Sequence, residues 1–404
     1  MSTELTSKIF LVVPKLIEQP TWGGRYILQT KDWTDKKLFK DIKIGQSYEL
    51  FSGIKLRKDI TSSKHPSFTG ELGYAMEPGK VLYSGDRKKL ISIAKLIEKN
   101  PQAVLGEKAL KKHGKQIKIL IKFTQAKGNS FQIHVKEKDE SLKWRFKPES
   151  WYYFEPGLLT LGVKNDAVWD EYKNCCLKIN EEIEALSKHV RDKKINFSQA
   201  KKKAKEIIRK YNPWQYVNSV KTKKDDLVDL SSGGLHHSWE ESDKKYPLGN
   251  VLYELCLDVM DPISVLRCFD KGKLKKDGSL RKINIKDYFK YIGRSTKINN
   301  PKNHFIKSQV LFKEKDTKIE SLLKTKYYSL DKISTNSEYL GEFTKLNKSF
   351  HHLFIKKGKV KVVYNESEVS LTKGHSCFIP ASIIEYKIKS LSKKKSEILK
   401  TFVS

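Results

Sequence analysis

The sequence predicts a mainly β protein, with two β domains and a helical insertion in the first of them. Three features of the 404-residue chain support this fold class. Short apolar runs broken by Gly and Pro occupy both ends of the chain, and a block with helical periodicity lies between them. In the last hundred residues, turns recur about every 8 to 12 residues, the rhythm of a jelly roll or a similar barrel.

The N-terminal part alternates between strand and helix patterns. Short apolar runs at residues 9–13 and 48–51 predict strands. Between residues 86 and 113 the pattern turns helical, and Pro101 opens a second short helix there. Two further strands are predicted at residues 117–123 and 130–135. In the second of these, alternation leaves Ser130, Gln132 and His134 on one face.

Residues 165–211 form a long helical block with a break near Asn196, and Asn212-Pro213 ends it. Short strands are predicted again between residues 226 and 290, the last of them at RKINI (281–285). Because the helical block separates two β-rich stretches, it is interpreted as an insertion into one β domain. The predicted domains are therefore residues 1–164 with 222–292, the insertion at 165–221, and a C-terminal β domain at 300–404.

Apolar patterning, cysteine content and net charge indicate which classes of protein the sequence fits. No apolar stretch is long enough for a signal sequence or a membrane span, so a soluble protein is expected. The five cysteines form no CxxC pair, which predicts reduced thiols, a cytoplasmic location and no cysteine zinc site. The net charge of +33 raises the possibility of nucleic-acid binding. The lysines are scattered, however, which favours solvated surface faces instead.

Two motifs predict a metal site. Gln132 and His134 share a strand face, and Glu149 follows shortly after, so these side chains offer the mixed nitrogen and oxygen ligands that zinc accepts. A Gly-rich turn then precedes His236 and His237. Adjacent residues of a strand point to opposite faces, so at most one of the two histidines faces a shared interior. Each motif alone is equally compatible with a solvated strand face or a surface turn.

Taken together and in this order, the segments resemble those of type I phosphomannose isomerases. The resemblance rests on SFQIH (130–134), KPESWYY (147–153), the helical block and GLHHSW (234–239). It extends to TWGG (21–24), IGQSYELFS (44–52), NPQAVLG (100–106), LYELCLD, VLRCFDKGK and RKINI. It covers residues 10–290 well and the last hundred residues only loosely. It implies two cupin-type jelly-roll domains, of which the second is degenerate.

The resemblance also implies a site with one zinc ion per chain. The ligands would be Gln132, His134, Glu149 and either His236 or His237. His237 is the preferred candidate, because the family's turn has a glycine three residues before its histidine. Ser130 and Lys147 are expected to bind the substrate.

The implied reaction interconverts mannose 6-phosphate and fructose 6-phosphate through an enediol or enediolate. Arg267 matches the family's active-site arginine and would stabilise the developing negative charge. A base must move a proton between neighbouring carbons, and the candidates are Glu254, Glu49 and Lys136. The oligomeric state is left open.

Other functions remain compatible with the sequence. A cupin enzyme could act on another phosphorylated sugar, since fold and metal do not fix the substrate. A non-catalytic sugar-phosphate sensor or a basic nucleic-acid-binding module on the same scaffold are further alternatives. Departures from the family pattern bear on the substrate. Val135 and Lys136 follow His134 where proline is usual, Gln46 stands where an acid is common, and the spacing from Glu254 to Arg267 is slightly longer.

Overall fold

The structure is a computed structural model that describes residues 7–19, 22–34, 40–57, 68–69, 82–83, 90–238, 245–341 and 348–404. Among these residues β-strands predominate, in four sheets, and helices gather in the middle of the chain. The predicted mainly β class with a helical region is confirmed. Two residues of the motifs, Thr21 and Trp239, and the first residues of the predicted helical stretch, 86–89, lie outside the described residues.

The described strands are, in chain order, β1 (Phe10–Val13), β2 (Lys15–Glu18), β3 (Ile44–Leu50), β4 (Lys55–Arg57), β5 (Phe68–Thr69), β6 (Leu82–Tyr83), β7 (Leu90–Ser92), β8 (Ile119–Ala126), β9 (Phe131–Ile133), β10 (Glu149–Tyr153), β11 (Gly157–Val163), β12 (Val217–Thr222), β13 (Leu227–Asp229), β14 (His236–Ser238), β15 (Asn250–Leu257), β16 (Leu266–Phe269), β17 (Gln309–Lys313), β18 (Thr317–Lys324), β19 (Ser329–Thr335), β20 (Glu338–Gly341), β21 (His351–Lys357), β22 (Lys359–Tyr364), β23 (Ser367–Thr372), β24 (Ser376–Ile379), β25 (Tyr386–Ser390) and β26 (Ser396–Phe402).

The described α-helices are α1 (Tyr26–Thr30), α2 (Ile93–Lys99), α3 (Pro101–Leu105), α4 (Glu107–His113), α5 (Trp169–Arg191), α6 (Phe197–Tyr211), α7 (Asp261–Ser264), α8 (Ile285–Tyr291) and α9 (Thr296–Asn299). Short 3-10 turns lie at Glu137–Asp139, Pro213–Tyr216 and Pro301–His304. No helix in these ranges has both the length and the apolar character needed to cross a membrane.

The first β domain consists of two sheets. One has the order β13-β10-β15-β8-β3-β2-β5-β6, and the other has the order β12-β11-β14-β9-β16. The strands of the first sheet that carry the site are antiparallel neighbours, with Glu149 opposite Cys256 and Trp151 opposite Glu254. In the second sheet Gln132 lies opposite both His236 and Arg267. Side chains on the facing surfaces of these sheets therefore meet in one interior.

The C-terminal domain extends beyond the predicted boundary. Its larger sheet has the order β17-β18-β19-β26-β21-β24-β1-β4-β7, and its smaller sheet has the order β20-β25-β22-β23. The strands β1, β4 and β7 come from the N-terminal segment, and Leu11 pairs with Cys377. The sequence analysis assigned residues 1–164 to the first β domain. In the structure, part of this N-terminal segment pairs with strands of the second domain instead. It completes the sheet of the second.

The helical insertion follows the predicted pattern closely. Helix α5 buries an apolar stripe. Asn196 caps the N-terminus of α6 in a capping box, in which the side chains of Asn196 and Gln199 each accept a hydrogen bond from the other's backbone N–H. Asn212 ends α6 in the left-handed conformation. Two local predictions were wrong: residues 90–92 form β7 and not helix, and RKINI leads into α8 instead of forming a strand.

The two β domains share an apolar core. Phe123, Phe154 and Tyr253 of the first domain pack against Phe354 of the second, with ring centroids 5.2 to 5.9 Å from that of Phe354. Such aromatic contacts add to the free energy gained by burying apolar area. The domains are consequently held together by a continuous core, and the site lies in the first of them.

Candidate active site

Three neighbouring strands bring the predicted ligands together. Gln132 lies in the middle of β9, His134 follows that strand directly, and His236 opens β14 opposite Gln132. Glu149 opens β10 in the facing sheet. All four side chains are buried, with exposed fractions of 9% or less. The ligating atoms of His134, Glu149 and His236 lie within 4.8 Å of one another.

The contacts within this cluster fit a cation. His134 Nε2 lies 3.1 Å from Glu149 Oε2, and Gln132 Nε2 lies 3.2 Å from His236 Nε2. Ligand atoms on a tetrahedral zinc are separated by roughly 3.3 Å, given metal–ligand bonds of about 2.0 to 2.1 Å. The side chains therefore need no large movement to bind one zinc ion, with an exchange of the Gln132 amide oxygen and nitrogen as the one adjustment.

Each ligating atom has a partner that orients it. The Nδ1 of His134 is 2.7 Å from the carbonyl oxygen of Ser264, so it carries the proton and leaves Nε2 as an acceptor facing the Glu149 carboxylate. Two acceptors in contact require a proton or a metal between them. Trp151 Nε1 donates to the other oxygen of Glu149 at 2.7 Å. Such outer hydrogen bonds fix ligand orientation in metal sites.

His236, and not the predicted His237, faces this cluster. Burial lowers the pKa of His236 to about 3, so its imidazole is neutral and available as a ligand at neutral pH. His237 points to the opposite face of β14, where its ring packs against Phe131 and its Nδ1 lies 3.0 Å from Thr160 Oγ1. The preference for His237 was therefore wrong, and the alternation of side chains along the strand is the reason.

A cationic region lies beside the cluster. Arg267 Nε donates to Ser130 Oγ at 3.2 Å, and Ser130 Oγ donates to Gln132 Oε1 at 3.1 Å. Burial lowers the pKa of Arg267 to about 10, so the guanidinium remains charged at neutral pH. Asp261 lies between two cations, 3.5 Å from Arg267 Nη2 and 3.2 Å from Lys147 Nζ. The predicted residues Ser130, Lys147 and Arg267 line one pocket with Gln132 and Glu149.

Glu254 lines the same pocket. Its carboxylate accepts from Lys122 Nζ at 2.5 Å and from Thr124 Oγ1 at 3.3 Å. Burial raises the pKa of Glu254 above its ordinary value, against the opposing positive charge of Lys122. A carboxyl group whose pKa is shifted towards neutrality is suited to both accept and release a proton.

Two predicted catalytic residues lie elsewhere. Glu49 is fully buried on the other face of β3, where it bonds Lys31 Nζ at 2.7 Å, Ser47 Oγ at 2.6 Å and Ser376 Oγ at 2.7 Å. It therefore joins the N-terminal segment to the C-terminal domain and does not line the pocket. Lys136 is half-buried beside Gly233 and also lies outside the pocket lining. Of the three predicted candidates for the base, only Glu254 lines the pocket.

Several pocket residues escaped sequence reasoning. Lys122, Trp151, Asp261, Lys273 and Arg281 all line the pocket. Alternation along β8 and β10 could have indicated Lys122 and Trp151, because each is two residues from another pocket residue. Asp261 opens the short helix α7, and Arg281 lies in the connection before α8. No local pattern identifies them.

The comparisons with known proteins agree with this geometry. Residues 318–393 match the family model described as the cupin domain of mannose-6-phosphate isomerase. This match lies in the C-terminal domain, where the motifs alone gave only a loose resemblance. A search of curated proteins found no match.

Solved structures match over nearly the whole chain. The mannose 6-phosphate isomerase from Bacillus subtilis superposes with a TM-score of 0.63 at 15% identity, covering 98% of this chain and 99% of that one. A putative mannosephosphate isomerase from Archaeoglobus fulgidus gives 0.60 at 16% identity, covering 99% of each chain. A zinc-bound mannose 6-phosphate isomerase gives 0.60 at 13% identity, covering 98% of this chain and 100% of that one.

The fold and the buried histidine–carboxylate cluster together define a two-domain cupin protein. More particularly, the chain has the fold of the mannose-6-phosphate isomerases, and residues 318–393 carry the sequence signature of their cupin domain. The family resemblance predicted from the motifs is confirmed.

Proposed function

We propose that this protein is a zinc-dependent aldose–ketose isomerase that interconverts mannose 6-phosphate and fructose 6-phosphate. The observation that supports this best is the convergence of Gln132, His134, Glu149 and His236 beside the cationic Arg267 region. It is supported by the pocket lining, in which Gln132 and Glu149 of this cluster lie with Arg267 and with Glu254, the carboxyl group of raised pKa. This combination matches the demands of proton transfer next to a carbonyl.

The four-residue cluster would hold one zinc ion per chain. Zinc, when bound, supplies Lewis-acid stabilisation for negative charge on the sugar oxygens. The imidazoles of His134 and His236 and the carboxylate of Glu149 provide ligands of the type that zinc accepts. Burial opposes ionisation of Glu149, but the hydrogen bond through a proton between it and His134, together with the positive charge of Lys147, holds the pKa of this carboxyl well below its ordinary value.

The substrate phosphate is assigned to the cationic side of the pocket. Arg267 and Ser130 offer charged and neutral donors that suit phosphate oxygens. Lys273 and Arg281 line the same pocket, and Arg281 Nε also donates to Asp270 at 2.9 Å. Lys147 lies 3.7 Å from Glu149, close enough to act on the reacting end of the sugar. The sugar would then lie between this cationic side and the metal cluster.

Glu254 is assigned the proton transfer. Isomerisation of the aldose removes a proton from the carbon next to the carbonyl and returns one to the neighbouring carbon, by way of an enediol or enediolate. Glu254 would accept the first proton as a carboxylate and donate it back as a carboxylic acid. Lys122 would hold the carboxylate in position and remain charged throughout. A cytoplasmic location is part of the proposal and is supported by five cysteines that are all free and buried.

The test is a coupled assay for fructose 6-phosphate formation from mannose 6-phosphate, with zinc content measured on the same sample. We expect turnover and about one zinc per chain, both lost in a Gln132→Ala, His134→Ala double variant. Chelation should also abolish turnover. Zinc without turnover of mannose 6-phosphate would redirect the assignment to another phosphorylated sugar, which a panel of aldose and ketose phosphates identifies. Absence of both zinc and turnover would refute the proposal.

A further inference from the structure

A glutamine with an unused hydrogen-bond acceptor lies in the wall of the active-site pocket. Gln19 follows β2 directly and lines the pocket, and the residue is only 3% exposed. Its Oε1 atom is buried and has no hydrogen-bond partner. Among the described residues that line this pocket, no other has a buried side-chain oxygen or nitrogen without a partner. Such an atom costs free energy of folding, so its presence calls for an explanation.

The backbone and close packing hold Gln19 in this wall. Its N–H donates to the carbonyl oxygen of Lys43 at 2.9 Å, and its carbonyl oxygen accepts from the N–H of Gly23 at 2.9 Å. A Cβ atom at Gly45 of β3 would lie 2.8 Å from Gln19 Cγ and 2.6 Å from the Trp22 ring. The two side chains therefore pack directly on the backbone of β3, and the carboxamide is held at the pocket.

Gln19 and the metal cluster lie towards different ends of one sheet. Glu149 opens β10, and Glu254 lies on the neighbouring strand β15. Strands β15, β8 and β3 separate β10 from β2, after which Gln19 follows. Neighbouring strands are about 4.8 Å apart. A sugar whose reacting carbons lie beside Glu149 and Glu254 would therefore present a part remote from those carbons to Gln19.

The chemistry of the unpartnered atom selects a hydroxyl group. An amide oxygen is only an acceptor, so it requires a donor. A fully ionised phosphate offers acceptors alone, whereas each hydroxyl of a sugar can donate. Trp22 and Gln46 line the pocket with Gln19, so this part of the wall carries an aromatic ring and two neutral amides. These groups suit the uncharged part of a sugar phosphate.

We infer that Gln19 is a substrate-binding residue that accepts a hydrogen bond from a sugar hydroxyl remote from the reacting carbons. The inference rests on the proposed function for the identity of the sugar phosphate. The hydroxyl site itself depends only on the buried, unpartnered Oε1 in the pocket wall. A bond to an unreactive part of the substrate is made equally in the ground state and the transition state, so its loss raises KM and leaves kcat unchanged.

The test uses the zinc-loaded, full-length protein and two glutamine-to-methionine variants, which keep side-chain size and remove the amide. Gln19→Met removes the unpartnered acceptor. Gln125→Met is the matched control, because Gln125 is also 3% exposed but lies outside the pocket lining. Its carboxamide accepts from Tyr26 N–H at 2.9 Å and donates to the Leu248 carbonyl oxygen at 3.0 Å. Circular dichroism and thermal unfolding establish the fold of each variant.

Two ligands separate hydroxyl recognition from phosphate recognition. Mannitol 6-phosphate carries hydroxyls and a phosphate but no carbonyl to react, and inorganic phosphate carries no sugar. Their affinities are measured by isothermal titration calorimetry, and kcat and KM for mannose 6-phosphate by the coupled assay.

We expect Gln19→Met to bind mannitol 6-phosphate about fivefold more weakly and to raise KM by a similar factor, with kcat within about twofold of wild type. Affinity for inorganic phosphate should not change. The melting temperature of Gln19→Met should equal or exceed that of wild type, because an unsatisfied buried atom is removed. Gln125→Met should melt at a lower temperature and bind both ligands as wild type does.

Wild-type affinity of Gln19→Met for mannitol 6-phosphate would overturn the inference, whatever its melting temperature. Equal weakening of inorganic phosphate would overturn the hydroxyl assignment, and so would a wild-type protein that does not bind mannitol 6-phosphate. If no protein converts mannose 6-phosphate, but only Gln19→Met loses affinity for mannitol 6-phosphate, the proposed function fails and the hydroxyl site stands.

Discussion

Replacing His236 and His237 separately gives the sharpest test of the candidate metal site. The two residues are adjacent and fully buried, and they point to opposite faces of β14. His236→Ala removes a ring nitrogen that lies 3.2 Å from the Gln132 amide, within the ligand cluster. His237→Ala removes a ring of the same size that packs on Phe131 outside the cluster. Each variant is therefore the matched control for the other.

The magnitude for His236→Ala follows from the number of ligands. Zinc binding to a four-ligand site is worth about 10 to 16 kcal/mol, so one ligand contributes roughly 3 kcal/mol, about a hundredfold in affinity. The pKa of His236 is about 3, so at pH 7 no proton competes with the metal for this ring. The measured drop in zinc affinity therefore reports the loss of the ligand alone. Zinc affinity is measured by competition with a chromogenic chelator at pH 7, and isomerase activity is followed in parallel.

His237→Ala should lower stability and leave zinc affinity nearly unchanged. Loss of its packing and of its contact with Thr160 is expected to lower the free energy of unfolding by about 2 to 4 kcal/mol. Zinc affinity should stay within about threefold of wild type, because the ligand cluster is untouched. If His237→Ala released zinc while His236→Ala kept it, in variants shown by circular dichroism to be folded, the assignment of His236 would be refuted.

Three further outcomes are expected. Glu254→Gln should lower kcat by about 10² to 10⁴-fold with zinc content unchanged, since it removes the proposed proton carrier; near-normal kcat would exclude that role. Glu49→Gln should lower the free energy of unfolding by about 3 to 5 kcal/mol, because it leaves Lys31 buried beside a neutral group, and kcat in folded protein should persist. Burial lowers the pKa of His352 to about 3, so below pH 6.5 only the unfolded chain binds its proton. Acidification from pH 7 to pH 5 should therefore cost wild type about 2 kcal/mol more than His352→Gln, measured by urea unfolding, and parallel pH profiles would contradict this.

Local patterns predicted much of the fold. The helical insertion was placed within a few residues, because α5 and α6 carry an apolar stripe and a capping box at Asn196. The origin of β1, β4 and β7 in the larger sheet of the C-terminal domain was not predictable in the same way. Pairing of Leu11 with Cys377 joins residues far apart in the chain, and a strand pattern does not specify its partner.

The site was predictable where its residues share a strand. Gln132 and His134 are two residues apart, and the motif order indicated Glu149 as their partner. The choice of His237 over His236 was not decidable from the sequence. The glycine-rich turn before β14 does not show which residues of that strand face the interior. The prediction that Glu49 is a candidate base has a related problem. Its neighbour Tyr48 lines the pocket, so the side chain of Glu49 points to the other face of β3.

The sequence departs from the family pattern near the candidate metal site and in the pocket lining. The two kinds of departure have different expected effects. Val135 is buried in the apolar core beside α5, and His134 is held by the Ser264 carbonyl, so the absence of proline after His134 leaves the ligand in place. Gln46, by contrast, lines the active-site pocket. A neutral amide there, in place of an acid, would change the charge that the proposed sugar substrate meets, without touching a proposed metal ligand. Any difference in sugar preference from the family should therefore arise around Gln46, with the metal site unchanged.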